Sequence, residues 1–302
     1  MTATAVILIS VSALMHAGWN LHLKRHYPTV GFFVVGVSCG AVCLAPILIF
    51  HHEKLAAIPG SGWALVLLGG LCHAIYFYGL ATAYRLGDMS LVYPLALAVP
   101  VVLVTIVTAT LGIGTPVSVQ GFLGMGLVVG GCVILPMTQL SDLQWKNYVN
   151  GCCLLSFVAA IGTTGYTILD DRAQNLLRHL HDTPFSKVTT PMIYIALEGC
   201  VGTLLLATIV LCGRRHRLEV ARTWRDHRMN AAIMGLMVYG TYGLVLAAMA
   251  FVDNVSYIAA FRQLSIPIGA IFGVTLLKEP RPLPKVVGIA AVMAGLAIVG
   301  AG

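Results

Sequence analysis

Charge is what this sequence has least of. Only 10% of its 302 residues are Asp, Glu, Lys or Arg, while 58% are hydrophobic. A water-soluble domain carries about 25% charged residues, and its core stops growing at roughly 250–300 residues. A soluble fold therefore cannot hide this much apolar surface, whereas a bilayer can. Two catalytic signatures are also missing. There is no phosphate-binding Gly-x-x-x-x-Gly-Lys-Ser/Thr and no His-Glu-x-x-His, so nothing supports an enzyme or direct use of ATP. The eight cysteines (39, 43, 72, 132, 152, 153, 200 and 212) form no Cys-x-x-Cys or Cys/His cluster. They read as small buried apolar residues inside helices, with no metal or other cofactor implied. The 18 basic residues against 11 acidic ones give +7, but they lie in short gaps between apolar runs. A nucleic-acid binder would cluster them on a folded surface.

What is present is a series of apolar runs. A bilayer core needs about 20 apolar residues per helix, and ten segments qualify: 2–22, 29–50, 62–84, 89–111, 117–137, 147–169, 188–212, 229–251, 254–277 and 283–301. The first lacks a basic leader and a small-residue cleavage site, so it is expected to remain as a helix. No segment alternates as a barrel strand would. The expectation is an all-α integral membrane protein with ten transmembrane helices.

Basic residues are unequally shared between the gaps. Gaps after odd-numbered segments hold Lys24, Arg25, Arg85, Lys146, six arginines from Arg214 to Arg228, Lys278, Arg281 and Lys285; the even ones hold Lys54, Arg172, Arg178 and Lys187. Positive loops stay cytoplasmic, which predicts outward-facing termini and a solvated inner loop over Gly213–Arg228.

The second half echoes the first. His73–Tyr84 leads into Gly87-Asp-Met-Ser90, Pro100 and Gly121; Tyr239–Ala250 leads into Asp253-Asn-Val-Ser256, Pro267 and Gly288, about 166–167 residues later. Five spans per copy is odd, so repeats 1–140 and 141–302 are expected to enter the membrane with opposite orientations. Inverted repeats of this kind place a substrate site near mid-membrane between the halves.

Several pieces resemble the drug/metabolite transporter superfamily, in its EamA-like branch. They are His16-Ala-Gly-Trp-Asn20, Ser90-Leu-Val-Tyr-Pro94, Phe261-Arg-Gln-Leu-Ser265 with Pro267, and Leu277-Lys-Glu-Pro280 followed by Gly288. The resemblance runs over nearly the whole chain. It implies a cavity lined by spans 1, 3, 4, 6, 8 and 9, with 5 and 10 peripheral, and a cargo of amino acids, other metabolites or drugs, often moved outward. It also implies cytoplasmic termini, the reverse of the loop-charge reading. Leu277-Lys-Glu-Pro280 has no acidic counterpart in the first half, where Gly112-Ile-Gly114 stands.

Candidate residues follow from polarity inside apolar runs. Arg262 and Glu198 sit mid-span, where a charge costs about 2.5–3.5 kcal/mol on insertion scales and so faces the protein interior. Arg262 with Gln263 offers fixed donors for a carboxylate or phosphonate. His16, Trp19 and Asn20 share a helix face; His16 and Glu198 are the proton-coupling candidates. Tyr76, Tyr93, Tyr166 and Tyr242 suit an amphipathic organic ligand, and Tyr76 and Tyr242 hold equivalent repeat positions. Pro94, Pro100 and Pro267 each free a carbonyl and allow a bend. For each of these residues helix packing or interface anchoring is the structural alternative. Five glycines from Gly121 to Gly131 offer a close-packing face that a homodimer could use.

Together these features predict a multi-pass protein of the cell membrane, of bacterial inner-membrane type. The leading expectation is a secondary transporter that exports an amino acid or similar small solute by alternating access, with a proton as the candidate coupling ion. Alternatives are a multidrug-type exporter of amphipathic cations and a membrane scaffold or sensor that transports nothing.

Overall fold

Helices begin where a small polar residue stands just before an apolar run. Thr29, Ser118, Asn150 and Asn254 each accept a hydrogen bond from a backbone N–H in the first turn that follows, at 3.1, 3.0, 2.9 and 2.8 Å. Such a cap contributes about 1 kcal/mol. The computed structural model describes residues 1–25, 29–86, 89–137, 139, 150–180, 184–276, 278 and 280–301, without the side chains of 24–25, 89–95 and 301. The proposed repeat boundary at 140–141 lies outside the described residues.

The described residues are all-helical. The elements are α1 (Ala3–Arg25), α2 (Val30–Phe50), α3 (His52–Ala56), α4 (Gly60–Leu86), α5 (Met89–Leu111), α6 (Val119–Ile134), α7 (Gly151–Arg178), α8 (Thr189–Leu211), α9 (Arg214–Asp226), α10 (Arg228–Met249), α11 (Val255–Phe261), a 3-10 turn (Arg262–Leu264), α12 (Ser265–Leu276) and α13 (Leu283–Ala301). Eight stretches are long and apolar enough to cross a membrane: α1, α2, α4, α7, α8, α10, α11–α12 and α13. Two shorter apolar helices, Ala96–Leu111 in α5 and Val119–Ile134, accompany them. Large side chains such as Phe50, Leu154 and Leu204 lie exposed on the outside, as a lipid-facing surface requires. The chain is a membrane protein.

Three expectations need correction. The segment drawn as 147–169 continues as α7 to Arg178, so Asp170, Asp171 and Gln174 are buried helix residues rather than loop residues. Their polar side chains face inward, which lets a helix continue past the apolar run. The loop expected over Gly213–Arg228 is mostly the helix α9, lying on the start of α2 where Gly31 meets the Glu219–Val220 backbone. On its exposed side Arg225 and Asp226 form a two-pronged pair at 2.8 and 3.1 Å, and Arg225 holds that carboxyl below its ordinary range. Lastly, all eight cysteines are free, but Cys43 and Cys212 are exposed rather than buried.

The helices pack in matched pairs. α4 packs on α7 as α10 does on α1; α2 on α10 as α8 on α4; α5 on α7 as α11, the turn and α12 do on α1. α6 packs on α13, and α2 on α8. The α6–α13 seam is built on glycines. A Cβ at Gly124 would lie 2.7 Å from the Gly295 carbonyl oxygen, and one at Gly131 2.7 Å from that of Gly288, so only glycine permits this approach. Gly126 and Gly130 point into open space. The small-residue face thus serves intramolecular packing at Gly124 and Gly131.

The two membrane faces differ. The Thr2 hydroxyl donates to the Phe251 carbonyl on the face that carries the N-terminus. There Gly114, at φ +72°, lets its loop dock on Asp253, with the Thr115 N–H donating to the Asp253 carbonyl at 3.1 Å. The arginine-bearing α9 lies at the other face, where α1 ends and α2 begins.

Candidate functional site

Helical spacing brings polar side chains onto the inner faces of α4, α7, α8 and α10. On α7, Thr163, Tyr166, Thr167, Asp170 and Gln174 recur every three or four residues, and all are buried. α8 contributes Tyr194 and Glu198, one turn apart and 0% and 2% exposed. α4 contributes His73 and Tyr76, α10 contributes Tyr242, and the 3-10 turn contributes Arg262.

Their side chains meet in one cluster. His73 Nδ1 lies 2.8 Å from Glu198 Oε1. Asp170 accepts from the Tyr194 hydroxyl at 2.8 Å and from the Tyr242 hydroxyl. The two carboxyls also converge on Gly69, where a Cβ would lie 3.0 Å from Glu198 Oε1, 3.0 Å from the Tyr194 oxygen and 3.1 Å from Asp170 Oδ1. Glycine at 69 is what leaves room for both. The His73 ring stacks on Tyr166 at 3.9 Å and 4°. Tyr242 and Tyr76 stand edge-on to that same tyrosine at 5.2 and 5.8 Å. Arg262 donates to the Tyr166 hydroxyl at 3.1 Å, and its guanidinium lies 5.7 and 5.6 Å from the Tyr166 and Tyr242 ring centres. An aromatic box thus has two carboxyls and an imidazole on one side and a guanidinium on the other.

The backbone around Arg262 is irregular for a local reason. Pro267 has no N–H to return to the Gln263 carbonyl, so the α-helical ladder is interrupted there. The chain tightens into the 3-10 turn, where the Ser265 N–H and hydroxyl both reach the Arg262 carbonyl.

Of the residues expected from sequence, Tyr76, Tyr166, Tyr242, Arg262 and Glu198 come together here. Gln263 is buried next to Arg262 and donates to the Ala259 carbonyl of the preceding helix α11. Asn20 likewise donates to the His16 carbonyl at 2.7 Å. Trp19 is buried edge-on against His16. His16 lies within electrostatic range of Arg262 rather than beside Glu198. Pro100 is buried within α5, and the side chains of Tyr93 and Pro94 lie outside the described residues. Asp170, Tyr194 and Gly69 were not anticipated. The signal for Asp170 was the polar stripe on α7. α8, which the family resemblance leaves out of the lining, supplies two members of the cluster.

Two cavities adjoin the site. A small one of about 20 Å³ is lined by His73, Glu198, Thr203, Tyr239 and Tyr242, room for one water. A larger apolar groove of about 550 Å³ runs between α1, α2, α8 and α10, with Lys187 at its rim, and shares Ile195 and Tyr239 with the first. Among the described residues no three His, Cys, Asp or Glu side chains are grouped to hold a metal ion. Gly36-Val-Ser-Cys-Gly40 has the spacing of a hydrolase nucleophile elbow, but it lies inside α2 and receives α10 rather than forming a strand-to-helix turn.

No family model and no curated protein matches the sequence. Twenty-eight solved chains resemble it in structure. One of them, a crystal structure of a protein, aligns with 99% of this chain and 98% of its own at a TM-score of 0.68 and 14% identity. At that identity the likeness establishes a shared fold and nothing about activity.

Proposed function

We infer that this chain is a secondary transporter of ten transmembrane helices, built as two inverted five-helix repeats, that moves an amino acid or similar small solute outward by alternating access. The observation that carries the reading is the buried cluster of Asp170, Glu198, His73 and Arg262 around three tyrosines. Charges so deep in a membrane are expensive and mark solute or ion pathways. Glu198 is the tenth of 23 residues in α8, and His73 the fourteenth of 27 in α4. The matched helix pairs support the two-repeat reading, as do Tyr76 and Tyr242 with their like positions against Tyr166. The interrupted helix at Arg262 also suits it, because broken helices form midplane sites in carriers. Arg262 is the anchor for the solute's carboxylate. Expected membership of the EamA-like branch rests on the sequence motifs.

The tyrosine walls and the two carboxyls favour a second reading, export of amphipathic cations. The test separates the two. Arg262→Ala is expected to insert and purify as a single species, yet to lose counterflow of radiolabelled amino acids in proteoliposomes. Undiminished counterflow would remove Arg262 from the site. Efflux of tetraphenylphosphonium by wild type, with no amino-acid flux, would select the cation reading.

A further inference from the structure

We propose that Asp170 and Glu198 act as one carboxyl pair that holds either a proton or the solute's ammonium group, so that the carrier exchanges one for the other. This rests on the transporter reading above and names its coupling. The geometry is specific. Two carboxyls from different helices place oxygens 3.0 and 3.1 Å from one point beside Gly69, so these oxygens are at most about 6 Å apart, where like charges disfavour double ionisation. The groups facing the pair are known among the described residues. They are Cys72 and His73 on α4, Tyr166 on α7, Tyr194 on α8, Tyr239 and Tyr242 on α10, and Arg262 of the 3-10 turn beyond the rings. Only His73 among them is a base close enough to take a proton from the pair.

The opposite wall completes the argument. A guanidinium and a carboxyl pair separated by aromatic rings form a dipole, and a zwitterion has the matching dipole. With the solute's carboxylate on Arg262, its ammonium donates N–H bonds to the Asp170 and Glu198 oxygens. The O–H bond of the pair breaks, and its proton leaves through His73 and the one-water cavity or along α7. On α7, Thr167 and Gln174 flank Asp170, each with a buried side-chain oxygen that has no hydrogen-bond partner among the described residues. When the solute leaves on the far side, the pair takes up a proton there. One proton moves inward for each solute carried outward.

Two measurements test this. The first needs no solute. In lipid-reconstituted protein, infrared difference spectra between acid and alkaline pH should show a carboxylic-acid band that is absent in Asp170→Asn and in Glu198→Gln, yet unchanged in Glu219→Gln on α9. An unaltered band in both site variants overturns the pair. The second uses a mixture of the twenty labelled protein amino acids in proteoliposomes. A pH step of one unit should change wild-type accumulation about tenfold, the limit for one exchanged proton. Asp170→Asn and Glu198→Gln should lose that response and bind the solute less tightly, whereas Glu219→Gln on α9 should keep both the response and counterflow. Wild-type flux indifferent to pH refutes the exchange and leaves the carrier standing. No wild-type flux of any amino acid refutes the zwitterion carrier, while the infrared band still decides the proton site. Tyr194→Phe, which keeps both carboxyls, should shift the pH at which the band disappears.

Discussion

Two interhelical regions of this molecule solve the same packing problem in opposite ways. The α6–α13 seam brings backbones together through Gly124, Gly131, Gly288 and Gly295, flanked by buried Val128, Val292 and Leu296. Among the described residues no charged side chain is buried in it. The α4–α7–α8 centre also opens on a glycine, Gly69, but fills the space with carboxyls, tyrosines and an imidazole. Lipid is as apolar as leucine, so helices gain from close packing and not from hiding polarity. The first region is what stability alone asks for. The second holds groups that packing would never select, which is why the proposed function is placed there.

Substitutions can break or sharpen that contrast. Gly131→Leu drives a side chain into the Gly288 and Val292 backbone and is expected to cost about 3 kcal/mol or more; loss of single-species protein on gel filtration is the readout. Replacing both His73 and Glu198 by leucine should do the reverse. Thermal stability stays or rises, as when buried ion pairs give way to apolar residues, while transport disappears. A large fall in melting temperature would mean that the cluster is scaffolding after all. Tyr194→Phe removes one donor to Asp170 and should cost about 1 kcal/mol, visible as a small melting shift. Gly126→Leu, on the same helix as Gly131 but facing open space, should stay within about 0.5 kcal/mol of wild type.

The sequence made some of this legible and hid the rest for physical reasons. Arg262 and Glu198 stood out because each interrupts an apolar run, and Tyr76 and Tyr242 because they hold equivalent places in the expected repeat. Asp170 did not. It opens the run Asp170-Asp171-Arg172, which reads as the start of a loop until the threonines and Gln174 on its own helical face are counted. Tyr194 looked like any packing tyrosine, and its role depends on a carboxyl 24 residues away. The helix α9 was hidden by its arginines, since its seat on Gly31 is a contact between residues almost 190 positions apart. Gly69 gave no local sign at all, because what it does is leave a space that two other helices, α7 and α8, fill.

The 3-10 turn at Arg262–Leu264 carries a mechanical consequence. Three residues wound at 2.0 Å rise and 120° each, rather than 1.5 Å and 100°, store about 1.5 Å of length and about 60° of rotation. Slackening that short coil to ordinary winding would draw α12 toward α11 like a screw and swing the guanidinium off its tyrosines. A single proline has therefore left a tightly wound turn at the depth of the proposed site.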